Sequence, residues 1–176
     1  MTNVSDREIK TIFLDASAIV KYYFTEYGSN DVREIFHSHS VRYTTSFCLA
    51  EALGVFKCKH RKGKTLNDTD AYLNESLDLI ESIKGGTITI EEQNIFDRNI
   101  YDKVEKLVEK FKIDISDIFQ LVSIKESFLT KNGISCTLIT SDEHLFKAAK
   151  IEKIAATFIP NNEEQQLEHF QLVNPR

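Results

Sequence analysis

Short apolar runs alternate with helical patterns along most of this chain, and that alternation limits its fold more than any other feature. The runs "KTIFLD", "RYTTS", "GTITI", "SCTLIT" and "KIAATFI" are short and rich in β-branched or aromatic residues, as buried strands are. The stretches between them carry apolar residues at helical spacing. Regular alternation of strands and helices predicts an α/β domain built on a mostly parallel sheet.

The length and composition indicate one ordinary globular domain. Of the 176 residues, 41% are hydrophobic and 28% are charged. We expect a single domain over 11–160, a polar N-terminal segment over 1–10, and a loosely ordered polar tail over 161–176. The chain shows neither an apolar run of about 18 residues nor an N-terminal signal region, so we expect no membrane span and no secretion. Three cysteines without a CxxC pair predict reduced thiols in the cytoplasm, not a zinc site.

Two helical segments carry specific predictions about their faces and ends. The segment 66–83 is predicted to be an amphipathic helix that ends at a pair of glycines. Its apolar positions, which we expect to face the core, are Ala71, Leu73, Leu77 and Ile80. The segment 115–131 is predicted to form one helix, with Ser116 as its N-cap and Gly133 just beyond its end.

Four carboxylates occur where strands end or inside helices. Asp15 follows "TIFL" directly, and Asp142 follows "TLIT" after one serine. Because ligands bind beyond the carboxyl ends of parallel strands, both side chains should project near one crevice. Asp117 lies in the first turn of its helix, where the dipole favours an anion. Glu51 lies inside an otherwise apolar helix face, where a carboxylate needs a partner.

Each of these acids also has an ordinary structural interpretation. Asp15 can be a helix N-cap, a role that Ser17 suits equally well. Glu51 can form an ion pair with a lysine or an arginine. Asp117 can simply complement a helix dipole, and Asp142 can begin the "DEHLFK" helix. Taken together the acids favour a shared ligand, because converging carboxylates repel one another unless a cation lies between them.

The type of ligand predicts the type of cation. Carboxylate oxygens are hard ligands that suit Mg²⁺ or Mn²⁺ better than zinc. A Mg²⁺ ion held by few carboxylates keeps several waters and can bind a phosphate oxygen. It can lower the pKa of a water nucleophile and stabilise charge on the departing oxygen, which is the chemistry of phosphodiester hydrolysis.

The segments that carry these acids resemble the four ordered motifs of the PIN domain family, which includes the VapC-type toxin ribonucleases. The segments are "IFLDASAIV", "TTSFCLAEALGVF", "IDISDIFQLVSIKE" and "TLITSDEHLFKAAK". The family pattern is a strand with Asp-x-Ser/Thr, a helical Glu, an Asp that opens a helix, and a strand with Thr-x-Asp. Here the matching residues are Asp15 with Ser17, Glu51, Asp117, and Thr140 with Asp142. The resemblance spans about residues 11–159.

The resemblance implies a three-layer α/β/α sandwich, PIN-like in its topology. It implies a metal-dependent endoribonuclease that prefers single-stranded RNA, uses Mg²⁺ or Mn²⁺ and is often a homodimer. The residues that it assigns to catalysis and to metal binding are Asp15, Glu51, Asp117 and Asp142. It also raises the possibility of a toxin of a toxin–antitoxin pair, with an antitoxin protein as its partner.

Three further residues are candidates for an outer layer around the metal ligands. Ser17 and Thr140 can hydrogen-bond a carboxylate or a water molecule, or they can make local turn and cap bonds instead. Asp114 lies one turn before Asp117, where it is either an auxiliary ligand or a solvated loop acid.

The stretch "KCKHRKGK" is a clear basic cluster in an acidic protein with a formal net charge of −5. It extends the helix that carries Glu51, so it can guide an RNA backbone toward the acids. The candidate RNA contacts are Lys57, Lys59, Arg61, Lys62 and Lys64. The alternative is a solvated helix end whose charges complement the dipole.

Other functions remain open at the level of sequence. A phosphatase with an aspartyl nucleophile would need a second aspartate where this chain has Ser17. A catalytically silent RNA-binding or regulatory PIN-like module would keep the fold without the reaction. The chemistry needs no 2′-hydroxyl nucleophile, so single-stranded DNA is also a possible substrate.

Overall fold

The computed structural model describes residues 11–38, 41–62, 68–94 and 97–167, with side chains left out at 61–62 and 68–71. The described strands are β1 (Thr11–Leu14), β2 (Val41–Thr44), β3 (Thr89–Ile90), β4 (Cys136–Thr140) and β5 (Ala156–Phe158). The described helices are α1 (Ala16–Tyr23), α2 (Ser29–Ser38), α3 (Ser46–Lys62), α4 (Asp68–Lys84), α5 (Arg98–Phe111), α6 (Ile115–Glu126), α7 (Phe128–Lys131) and α8 (Glu143–Ile151).

The described strands form one sheet in the order β3-β2-β1-β4-β5, and every pair is parallel. The chain first moves from β1 through β2 to β3, then returns to the other side of β1 to add β4 and β5. The order therefore reverses between β1 and β4, and the crevice at such a switch point is where α/β sheets bind ligands. The α/β fold with a parallel sheet, as predicted from the sequence, is confirmed.

Helices cover both faces of the sheet and create two apolar cores. Ile12, Leu14 and Ile139 point to one face, where they pack with residues of α1, α2, α3 and α4. Phe13 and Leu138 point to the other face, where α5, α6 and α8 cover them. Every residue of β1 is buried, because this strand is central and has helices on each side. The architecture is thus the three-layer α/β/α sandwich that the resemblance implies.

The predicted helix over 115–131 is in fact two helices. Ser127 has an extended backbone between α6 and α7, and its hydroxyl oxygen accepts the N–H of Thr130, as an N-cap does. The predicted N-cap of α6 was also wrong, because Asp114 occupies that place and accepts the N–H of Ser116 at 3.0 Å. Asp and Ser are about equally good N-caps, so propensity alone does not choose between them.

Helix α4 presents a different face to the core from the one predicted. The side chains packed there are Tyr72, Leu79 and Ile83, none of which belongs to the predicted set. The side chain of Ala71, which was predicted there too, lies outside those that the structure describes. Leu73, Leu77 and Ile80 are instead exposed by 47%, 54% and 42%. The helix carries two apolar stripes side by side, and the spacing of apolar residues cannot show which of them faces the core.

This assignment predicts opposite sensitivities for two neighbouring leucines. We expect Leu77→Ala to change the free energy of unfolding by less than about 0.5 kcal/mol, as is usual at the surface. Leu79 is fully buried, so Leu79→Ala should destabilise the protein by about 2 kcal/mol. Urea unfolding of both variants measures the difference. A larger loss in Leu77→Ala than in Leu79→Ala would reverse the assignment of the faces.

The C-terminal tail was expected to be loosely ordered, but its first residues pack on the domain. Asn161 donates its side-chain N–H to the carbonyl oxygen of Ser141 at 3.2 Å, and Tyr27 donates its hydroxyl proton to Gln166. A helical turn follows over 163–167. The predicted N-terminal segment 1–10 and the rest of the tail lie outside the described residues.

Two predictions made from composition concern the cysteines and the absence of a membrane span. Cys48, Cys58 and Cys136 are all free thiols, the first and last buried and Cys58 exposed. Within the residues that the structure describes, every helix is too short or too polar to be a membrane span.

Candidate metal centre

An acidic cavity of about 430 Å³ opens at the carboxyl edge of the sheet, beside the switch between β1 and β4. The carboxylates that line it are Asp15, Glu26, Glu51, Asp114, Asp117 and Asp142. The structure therefore places all four predicted metal ligands, and the auxiliary candidate, around one cavity. Elements that are far apart in the chain supply them: the ends of β1 and β4, the second turn of α3 and the N-terminal end of α6.

Asp15 is the most deeply buried of these acids, with 4% of its surface exposed. One carboxylate oxygen accepts the hydroxyl protons of Ser17 at 2.5 Å and Thr140 at 2.9 Å, as well as the backbone N–H of Ser17 at 3.3 Å. Asp15 is also the N-cap of α1. Capping and a place in the acidic site are therefore compatible, and both candidate hydroxyls contact the carboxylate as proposed.

The ends of β1 and β4 are tied together by hydrogen bonds that also hold Asp142. The hydroxyl oxygen of Ser17 accepts the N–H of Ser141 at 2.8 Å, and that of Thr140 accepts the N–H of Asp142 at 2.9 Å. Asp142 caps α8 by accepting the N–H of Leu145 at 2.8 Å. Its cap role uses one carboxylate oxygen and leaves the side chain lining the cavity.

Asp114 and Asp117 enter the cavity from the first turn of α6. Asp114 is exposed and is committed to its cap bonds with Ser116. Asp117 is half-buried, and burial together with the charges of Asp15, Asp142, Glu51 and Asp114 raises its pKa to about 7. The acidic site thus carries more negative charge than its surroundings neutralise.

Glu51 lies on the exposed side of α3, not inside its apolar face as predicted. The buried face of this helix is formed by Cys48, Ala52 and Phe56 instead. Glu51 makes no ion pair or hydrogen bond with other described residues, so the predicted structural partner is not found there. Partial burial and then the charges of Asp15 and its neighbours raise the pKa of Glu51.

Glu26 is the sixth acid of the cavity, and sequence reasoning missed it. The amine of Lys21, whose side chain is 2% exposed, donates to Glu26 at 3.1 Å and to the carbonyl oxygen of Tyr27 at 2.8 Å. Lys59 forms an ion pair with the second oxygen of Glu26. Although burial opposes it, hydrogen bonds from Lys59 and Lys21 hold the pKa of Glu26 below its usual value. The lysine in the apolar stretch "ASAIVKYY" is the sequence feature that could have indicated a buried ion pair here.

Gln120 is the second residue that the sequence analysis missed. It is fully buried on α6, one turn after Asp117. Its amide nitrogen donates to Asp15 at 3.1 Å and to Asp117 at 3.4 Å, so it connects two of the predicted ligands. An amide in the apolar stretch "DIFQLV" was its only trace in the sequence.

The basic cluster reaches the cavity through one described side chain. Lys59 lies two turns after Glu51 on α3 and lines the cavity with it. Lys57 is exposed and does not line the cavity. The side chains of Arg61 and Lys62, and all of Lys64, lie outside the described residues.

The donor set suits a hard divalent cation, and the raised pKa of Asp117 is the observation that tests the fit. A carboxyl whose pKa is raised by burial and then by neighbouring carboxylates is one that a cation would ionise. Yet no group of three or more His, Cys, Asp or Glu side chains in the described part of the chain is arranged to hold a metal ion. The acids fit Mg²⁺ or Mn²⁺ in kind, and metal binding would have to draw them closer together.

Fold and site together define an α/β domain with a carboxylate-lined crevice at its switch point. No protein-family model and no curated protein matches the chain. Among solved structures it is similar to FitAcB from Neisseria gonorrhoeae, with 16% identity, a TM-score of 0.49, and coverage of 83% of this chain and 96% of that chain. A likeness at this level identifies neither a family nor an activity.

Proposed function

We propose that this protein is a metal-dependent endoribonuclease that hydrolyses phosphodiester bonds of single-stranded RNA. The observation that carries the proposal is the meeting of Asp15, Glu51, Asp117 and Asp142, from four separate elements, around one cavity at the switch point of a parallel sheet. The PIN resemblance assigns catalysis to these same four acids. Burial and the charge that these acids share raise the pKa values of Asp117 and Glu51, which supports a role in cation binding.

In this proposal the acids would hold Mg²⁺ or Mn²⁺ in the cavity. When bound, the ion supplies a water of lowered pKa and stabilises the charge that develops on the departing oxygen. The chain's own contribution is to orient the carboxylate of Asp15 through Ser17 and Thr140, which donate to the same carboxylate oxygen. The cavity is open beside the acids, which gives a substrate access to them.

The experiment that tests the proposal is cleavage of a labelled single-stranded RNA by the purified, tag-free protein in EDTA, Mg²⁺ and Mn²⁺. Cleavage should require a divalent ion and stop when EDTA is added in excess. A double-stranded RNA and a single-stranded DNA of the same sequence define the substrate class. Cleavage that continues in EDTA would exclude the proposed chemistry.

Lys59 is proposed to contact a backbone phosphate of the bound strand, because it lines the cavity beside the acids. We expect Lys59→Ala to raise KM for RNA about threefold to fivefold, the range of an exposed ion pair. It should also lower the dependence of log KM on log salt concentration by about one unit. Steady-state cleavage rates over a range of salt concentrations measure both effects.

Lys57→Ala is the matched control, since Lys57 carries the same charge on the same helix but does not line the cavity. It should leave KM and the salt dependence unchanged. Equal effects of the two variants would mean that the basic helix attracts RNA only through its summed charge.

The biological role is a further part of the proposal. The PIN resemblance supports a toxin of a toxin–antitoxin pair, with an antitoxin protein that covers the cavity, and it supports a homodimer. The free cysteines fit a cytoplasmic protein. Expression of the chain alone in bacteria should arrest growth, and expression of Asp15→Asn should not. The molar mass of the purified protein in light scattering tests the homodimer separately.

A catalytically silent RNA-binding or regulatory module is the second candidate. The observation that favours it is the spacing of the acids. Among the described residues, no three of them lie close enough together to hold a metal ion. Such a module would bind RNA equally well in EDTA and in Mn²⁺ and would not cleave it. Binding measured by fluorescence anisotropy in both conditions separates the two candidates.

A further inference from the structure

Gln120 is the buried polar residue whose contacts neither capping nor packing explains. Its side chain is fully buried among apolar neighbours on α6. Its amide nitrogen donates to Oδ1 of Asp15 at 3.1 Å and to Oδ1 of Asp117 at 3.4 Å. Its amide oxygen is also buried, and it has no hydrogen-bond partner among the described residues. Since buried polar atoms are nearly always paired, the unpaired oxygen requires an explanation.

The explanation lies in the two carboxylates. When both carboxylates are ionised, the opposite orientation of the amide would place its oxygen against two carboxylate oxygens, so that only acceptors would face one another. The charges of Asp15 and Asp117 therefore fix the amide with its nitrogen toward them, even though the oxygen remains unsatisfied. The side chain thus donates to both acids while its own oxygen has no partner among the described residues.

Because glutamine is uncharged, Gln120 does not reduce the attraction of the site for a cation. A lysine or arginine at this position would pair with the two acids and neutralise part of the negative charge that attracts a cation. The amide holds both carboxylates through donated protons and leaves their charge in place. Asp15 already receives protons from Ser17 and Thr140 on its other oxygen, whereas the other oxygen of Asp117 accepts none from described residues.

We propose that Gln120 is a positioning residue that joins the carboxylates of Asp15 and Asp117 and thereby sets the affinity of the cavity for a divalent cation. The inference rests on the proposed function, because it takes the acids to be metal ligands. It assigns Gln120 no contact with the substrate or with the metal. Partners that orient metal ligands in this way typically change metal affinity 10-fold to 100-fold when removed.

The test uses Gln120→Met, which keeps the length of the side chain and removes its donors. Calorimetric titration of the full chain with Mn²⁺ should show an affinity about 10-fold to 100-fold weaker than that of the unsubstituted protein. The Mn²⁺ concentration that gives half-maximal cleavage should rise by the same factor, and the maximal rate should recover at high Mn²⁺. A purely structural defect would not be rescued by the metal.

Two further variants keep the result interpretable. Ser123→Ala alters another buried polar residue one turn along α6 and should leave Mn²⁺ affinity unchanged. Gln120→Asn keeps the amide but shortens its reach, so it should weaken binding in the same direction and serves as the test if Gln120→Met does not fold.

The possible outcomes separate this inference from the proposed function. If the unsubstituted protein binds no Mn²⁺, the proposed function fails, and the inference fails with it. If that protein binds Mn²⁺ and Gln120→Met binds it within about twofold, the proposed function stands and the positioning role is excluded. A loss of affinity that excess Mn²⁺ restores supports both.

Discussion

Asp15→Asn is expected to lower metal-dependent cleavage of single-stranded RNA at least about 100-fold while the protein remains folded. Loss of an outer partner alone costs about 10-fold to 100-fold in a metal site, so loss of a ligand should cost at least as much. The fold should survive, because asparagine caps helices as well as aspartate and α1 keeps its N-cap. Initial rates in Mn²⁺ and circular dichroism of the same sample measure the two effects.

The structure shows why asparagine is a severe change for the site. The carboxylate of Asp15 is surrounded by donors: the hydroxyls of Ser17 and Thr140 and the amide of Gln120. An asparagine has one acceptor oxygen in place of two, so it cannot accept from Gln120 on one side and from both hydroxyls on the other, as the carboxylate does. The substitution therefore removes the negative charge and also disturbs the groups that orient it.

Asp97→Asn is the matched control for this prediction. Asp97 is also an N-cap and accepts the N–H of Asn99 at 2.9 Å, but it caps α5 and does not line the cavity. It should leave cleavage unchanged. If Asp15→Asn stayed folded and cleaved RNA at the original rate, Asp15 would be a helix cap only, or the activity would belong to a contaminant.

The features of the fold that the sequence predicted are those that depend on local chemistry. Buried strands such as "TIFL" and "TLIT" are recognisable from composition and length, and parallel strands bring their carboxyl ends to one edge. The meeting of Asp15 and Asp142 follows from these two rules. The face of α4 could not be predicted in this way, because two apolar stripes satisfy the same periodicity and packing against other helices decides between them.

The parts of the site that were missed depend on contacts between distant residues. Gln120 and Asp15 are separated by 105 positions, and no spacing rule links an amide inside a helix to a carboxylate at a strand end. Glu26 was missed because its partner Lys21 is a buried cation, which composition alone does not reveal. Glu51 lines the cavity, but it lies on the exposed side of α3 and not inside an apolar face as predicted.

Asp117→Asn is expected to make the metal-free protein more stable at pH 8, not less. Burial and the charges of nearby acids raise the pKa of Asp117 from 3.8 to about 7. Between these two values the folded protein retains a proton that the unfolded chain has lost, so stability falls as the pH rises through this window. Asparagine resembles the protonated form and should remove that loss.

Because Asp117 is partly exposed, solvent screening reduces the gain to the order of 1 kcal/mol, or a rise in Tm of about 2–4 °C. Thermal unfolding in EDTA at pH 5.5 and pH 8 measures it. The unsubstituted protein should be less stable at pH 8 than at pH 5.5, and the variant should show a smaller difference. The pKa of Glu51 is also raised, so the ionisation of Glu51 lowers stability with rising pH in the same way. The lowered pKa values of Glu26, Glu126 and Glu152 affect stability below about pH 4.5, outside this range.

Mn²⁺ should reverse the effect of Asp117→Asn on Tm. Measuring Tm with and without Mn²⁺ therefore tests the metal site. At 100 times Kd a bound ion stabilises the folded protein by about 2.7 kcal/mol, and Asp117→Asn should lose most of that gain. The variant should therefore melt above the unsubstituted protein in EDTA at pH 8 and below it in saturating Mn²⁺. Asp102→Asn, an exposed acid on α5 that does not line the cavity, should follow the unsubstituted protein in both conditions. A lower Tm for Asp117→Asn in EDTA would mean that Asp117 supports the fold, and that repulsion among the acids does not govern this cavity.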